Sequence, residues 1–137
     1  MSTMIFTNAH SRDRVALWGG RVLSGLVVLF LLMDAVIKVL FLPKMPEASQ
    51  QLGWSADMAI PLGVILLTCT VLYAMPRTSI LGAILLTGYL GGAVATHTRI
   101  DSPLFTHILF GIYLGVAVWG GLFMRNPAIR ALIPWQR

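Results

Sequence analysis

Four runs of mostly apolar residues, over about 17–42, 58–75, 79–96 and 104–124, fill most of this 137-residue sequence, and each is close to the length that crosses a membrane. The hydrocarbon core of a bilayer is roughly 30 Å thick, which a helix spans in about 20 residues. Inside that layer every backbone N–H and C=O must find its partner within the protein, which leaves helices and closed barrels. The runs lack the short apolar–polar alternation of barrel strands. The sequence therefore predicts an all-α fold, an integral membrane four-helix bundle forming one domain over 1–137. Composition supports this: with 57% hydrophobic and 11% charged residues, and a mean hydropathy of +0.81, the chain cannot cover a soluble core with polar surface.

The connections between the runs are unequal. Only Pro76, Arg77 and Thr78 separate the second from the third, which predicts a tight antiparallel hairpin. The polar stretch 43–57 carries Pro46 as a first-turn residue before Glu47 and ends at Gly53, the pattern of a short surface helix. The segment 97–103 is read as a loop carrying His97, Arg99 and Asp101, with Pro103 opening the last helix. After Met124, an Asn126 cap and Pro127 start a short interfacial helix over about 127–133. The apolar part of the first run is too long for a cleaved signal peptide, so it is expected to be retained. Trp18, Trp54, Trp119 and Trp135 lie near run ends, as interfacial anchors do.

Basic residues set the orientation. Arg12, Arg14, Arg21, Arg77, Arg125, Arg130 and Arg137 fall on one side, and Lys38, Lys44 and Arg99 on the other. Cationic flanks resist translocation, so both termini are expected on the cytoplasmic side, with 43–57 and 97–103 facing outward. The net charge of +5 and pI near 10.2 do not signal nucleic acid, because the basic residues form no stripe with interleaved aromatics. A single cysteine, Cys69, excludes a disulfide framework, a cysteine zinc site and a CxxC redox pair within the chain, and its mid-helix apolar surroundings suit packing.

Gly88 with Gly92 and Gly111 with Gly115 are GxxxG pairs on the third and fourth helices, a spacing that lets helices pack backbone to backbone. Ionisable residues are the costly ones in a bilayer. Asp34 and Lys38 stand four apart on one face of the first helix, either as a pair that neutralises itself or as part of a pocket. Tyr89 and His107 lie at comparable depth, and His97, Arg99 and Asp101 crown the same end, while the inner half of the bundle is expected to be apolar throughout. The histidines are either ordinary bonded residues or pocket residues. No HxxxH, ExxH or cysteine partner accompanies them, so the sequence offers no metal or haem site.

The strings Asp34-Ala-Val-Ile-Lys38, Tyr73-Ala-Met-Pro76-Arg77-Thr78, Leu86-Thr-Gly-Tyr-Leu-Gly-Gly-Ala-Val-Ala-Thr-His97-Thr-Arg99 and Asp101-Ser-Pro-Leu-Phe105 together resemble the DoxX-like family of small bacterial membrane proteins. The resemblance covers nearly the whole chain after the first dozen residues, and the long third-helix string is its most specific part. It implies a four-helix bundle in the bacterial inner membrane and, because the family takes its name from a subunit of a thiosulfate:quinone oxidoreductase, a link to redox or quinone metabolism. It also implies that Asp34, Lys38, Tyr89, Thr96, His97 and Arg99 line an outer pocket. The family pattern has an acidic residue in the second helix where this sequence has the apolar run from Gly63 to Cys69, with Leu66 in the acid's place. A proton relay through that helix is thereby put in doubt.

Three readings follow. The first is a quinone-linked redox or accessory subunit, with quinone as ligand and Asp34 or His107 assisting proton transfer. The sequence shows no motif for an electron carrier, so this reading calls for a redox partner protein or a second substrate. The second is a membrane scaffold that binds a partner through its outer loops. The third is a lipid or small-molecule binder. The lipid bilayer is the common partner of all three, and a second copy of the chain is a further candidate.

Overall fold

Turn chemistry decides where the apolar runs reverse. The computed structural model describes residues 2–40, 44 and 46–132, and for residues 2–10, 12, 46, 48 and 56 it describes the backbone alone. Helix α1 (Ser2–Leu40) is followed by the short α2 (Pro46–Gln51), then by α3 (Ala59–Ala74), α4 (Ser79–Arg99), α5 (Leu109–Arg125) and the short α6 (Pro127–Leu132). Between α3 and α4, Thr78 closes the hairpin by donating its Oγ1 proton to the Leu72 carbonyl at 2.8 Å and its N–H to that of Met75 at 3.2 Å. Asn126 caps α6 as expected, its Oδ1 accepting the Ala128 N–H at 3.0 Å. After α2 the N–H of Trp54 reaches the Ser49 carbonyl at 3.0 Å and that of Gly53 the Gln50 carbonyl at 2.9 Å. With Gly53 at φ +72, this is a Schellman closure, and a left-handed residue there favours glycine.

Several boundaries differ from the sequence reading. The first helix begins at Ser2 rather than near 17, because 2–16 contain no Gly or Pro and a nucleated helix propagates readily past the end of an apolar window. The third helix runs to Arg99 rather than 96, so His97 and Arg99 sit on its last turn and not in a loop. The last membrane helix opens with a π-helical turn, Leu104–Ile108. Residues 41–42, residue 133 and Trp135 lie outside the described residues. Three helical segments are long and apolar enough to cross a membrane, namely Asp13–Leu40, Ser79–Arg99 and Leu104–Arg125, and α3 is a shorter apolar helix of 16 residues. No strand occurs among the described residues.

The long helices form a ring in which α1 and α4 each pack against α3 and α5 and stand opposite one another. We call the end carrying α2 and the α4–α5 turn distal, and the end carrying the α3–α4 hairpin and α6 proximal. The core fills the middle and proximal half, where Val27, Leu31, Leu66, Leu86, Val118 and Leu122 are at most 4% exposed. Large apolar side chains such as Leu26, Leu29, Ile84 and Val116 point outward, the inverse of a soluble bundle and the surface a bilayer would cover.

Of the four glycines expected at close helix contacts only Gly111 is at one, and other glycines make the closest approaches. A Cβ on Gly82 would run into the backbone of Tyr73, and one on Gly121 would stand 2.6 Å from Ser24 Oγ. Gly111 does pack closely, 2.8 Å from Val94 Cγ2 by the same measure, but among the described residues nothing lies within 4 Å of a Cβ position on Gly88, Gly92 or Gly115. The spacing places each pair on one face without saying what stands opposite, and for these three the opposite side is open.

Candidate functional site

A cavity of about 450 Å³ occupies the distal half of the ring. Its deeper wall is apolar, with Phe30 and Phe110 meeting edge to face at 5.3 Å between ring centres. Its distal wall is polar. Asp34, Lys38, Tyr89, Thr96, His97 and His107 all line it, although they come from three helices. Asp34 and Lys38 form an ion pair within α1, the ammonium lying 2.5 Å from either carboxylate oxygen. The two sequence alternatives for that pair are therefore not exclusive: it neutralises itself and faces the cavity.

The two histidines face each other with ring centres 5.3 Å apart. His97 Nδ1 is 3.0 Å from Ser102 Oγ and His107 Nδ1 is 2.8 Å from Thr106 Oγ1, so a hydroxyl engages the same nitrogen of each ring. The π-helical turn places His107 here: the wider turn follows Pro103, which has no N–H to give, and shifts every later side chain around the axis. Thr96 spends its hydroxyl proton on the Gly92 carbonyl at 3.0 Å.

Arg99 and Asp101 do not line the cavity. Arg99 Nη2 donates instead to the Leu52 carbonyl at 3.3 Å and lies against Gly53, tying the end of α4 to the strap after α2. Asp101 is exposed in the turn after α4, at φ +52, a conformation Asp tolerates better than most residues. The strap itself reaches the cavity through Ser49, Leu52 and Trp54. Nothing in the sequence marks Ser49, since a lone serine in a polar segment carries no signal, and the position of Trp54 near a run end suggests an anchor rather than a cavity wall.

The proximal half is not apolar throughout, contrary to expectation. Tyr73, fully buried, donates its phenolic proton to the Val118 carbonyl at 2.8 Å, which leaves Ser24 to donate to Tyr73 at 3.0 Å. Arg125 Nη2 bonds the Tyr73 carbonyl at 2.9 Å, and its guanidinium lies 4.8 Å from the phenol ring centre. Trp119 likewise does more than anchor, its Nε1 donating to Thr87 Oγ1 at 2.8 Å. Such pairings depend on which helices become neighbours, and periodicity alone does not reveal that.

A family model described as the DoxX-like family matches residues 22–121, a span that contains every residue lining the cavity. The chain belongs to the DoxX-like family. No curated protein and no solved structure gives a match. In this DoxX-like chain Leu66 is fully buried among Leu31, Tyr73 and Leu86 and lies away from the cavity, so α3 brings Ala59 and Leu62, and no charge, to the chamber of this family member.

Proposed function

We propose that the protein is a quinone-linked redox or accessory subunit of the bacterial inner membrane, binding the quinone head in the distal cavity. The observation that carries this reading is the cavity's division into an aromatic, apolar depth and a polar end where two imidazoles, a phenol and an ion pair converge. Its volume lies within the range of about 300–1,000 Å³ typical of small-molecule sites. A flat ring fits beside Phe30 and Phe110, and its oxygens meet donors at His97, His107 or Lys38. A bound quinone supplies two-electron, two-proton chemistry. The chain's own part is to hold the ring, keep water from its apolar side and pass protons at the imidazole nitrogens. Electrons come from a partner protein or a second substrate.

The same reading takes α3 as a fourth span. Its 16 residues rise about 24 Å, short of a hydrocarbon core of roughly 30 Å, and local thinning or the adjoining turn at Ala56–Met58 makes up the difference. The distribution of Lys and Arg supports cytoplasmic termini and a distal end facing the exterior.

The test is retention. The protein purified in mild detergent from quinone-containing membranes should yield quinone on organic extraction, and His97→Ala should retain about tenfold less, the effect of losing one buried hydrogen bond to a polar ligand. A quinone-free extract, or equal retention by the folded variant, would sink the proposal.

A further inference from the structure

Gly88 and Gly92 line the distal cavity and are at the same time exposed on the outside of α4. A Cβ at either position meets no atom of the described residues within 4 Å, so no neighbouring side chain covers this part of the cavity lining. The distal end is covered differently. Leu52 and Trp54 lie over the cavity on a strap wound tight by its Schellman closure and tied to α4 through Arg99. A second, independent feature points to a ligand inside. Ser49 is 2% exposed, lines the cavity, and its Oγ has no hydrogen-bond partner among the described residues. Its backbone carbonyl is already engaged by Leu52 and Trp54. A buried hydroxyl without a partner is costly, and a polar atom arriving in the chamber removes that cost.

We infer that Gly88 and Gly92 form a lateral doorway through which a membrane-dissolved molecule with an apolar body and a hydrogen-bonding oxygen enters the cavity, where the Ser49 hydroxyl binds its polar end. The inference rests on the cavity being a ligand site, and it names the route and one contact. Both quinones and lipids have the required chemistry, and they differ in what each test probe reports.

The experiment uses the full chain in lipid nanodiscs with Trp54 as the sole indole (Trp18, Trp119 and Trp135→Phe). Decylubiquinone, a quinone that quenches indole fluorescence, should quench Trp54 saturably. Gly88→Leu/Gly92→Leu should slow the onset at least tenfold and Gly88→Ala/Gly92→Ala less. Both pairs enter open space, so the fold is retained and the graded series reads the doorway. Ser49→Ala should raise the half-saturating quinone fraction about fivefold, the loss of one net hydrogen bond. A phosphatidylcholine brominated in its acyl chains is the second probe. If decylubiquinone fails to quench saturably while brominated lipid quenches Trp54 in the parent and not in the leucine pair, the doorway stands with lipid as its occupant and the quinone reading falls. If both probes act equally fast on parent and leucine pair, the doorway is overturned, whether or not quinone binds. An unchanged half-saturation in Ser49→Ala overturns the proposed contact.

Discussion

Tyr73 shows what a single fully buried hydroxyl does in a helical bundle. It accepts from Ser24 on α1 and donates to Val118 on α5, so one side chain of α3 links three helices. Tyr73→Phe keeps the ring beneath Arg125 but leaves the Ser24 hydroxyl and the Val118 carbonyl without this partner. The expected loss is about 1–3 kcal/mol, the cost of unpaired buried polar groups. Reversible unfolding in mixed micelles with increasing SDS measures it, and a change within error would show that the network reorganises freely. Tyr73 was present in a sequence string that pointed to the family, yet its structural role was illegible, because a tyrosine near a helix end looks like any interfacial aromatic. Asp34 and Lys38 were more legible: the four-residue spacing on a helix leaves few places for the two charges to go.

On α4, glycines of identical composition do opposite jobs. Gly82 admits the backbone of α3, whereas Gly88 faces open space. Gly82→Ala should therefore destabilise by about 1–3 kcal/mol or more through overpacking, while Gly88→Ala should be neutral or slightly stabilising, since alanine is the better helix former. The same SDS titration ranks the two, and a reversed order would contradict the packing described. The sequence made the apolar runs, the hairpin at 76–78 and the glycine-closed α2 legible, because each follows from hydropathy or from backbone chemistry within a few residues. It did not show the start of α1 at Ser2, where no breaker marks an edge. Nor did it show the π-helical turn that carries His107, because Pro103 marks a helix start without saying how widely the first turn winds. The resemblance to the DoxX-like family was legible in the long string on α4, and the family model agrees with it.

For the molecule as a whole, the contrast between the two ends matters more than any one helix. The distal half is hollow and lined with ionisable side chains, and the proximal half is filled by Leu66, Leu86, Val118 and Leu122 around Tyr73. A filled half should be proton-tight. Vesicles carrying the protein and an internal pH dye are expected to hold an imposed gradient as long as protein-free vesicles do, and a faster decay would mean that water crosses the proximal core.

The plug built on Tyr73 has a consequence for energy coupling. On the proposed quinone reading, a chamber closed on its proximal side takes up and gives back protons on the distal side alone, so that chemistry moves no net charge through this chain. On the same reading, any contribution to the membrane potential belongs to the proposed electron donor.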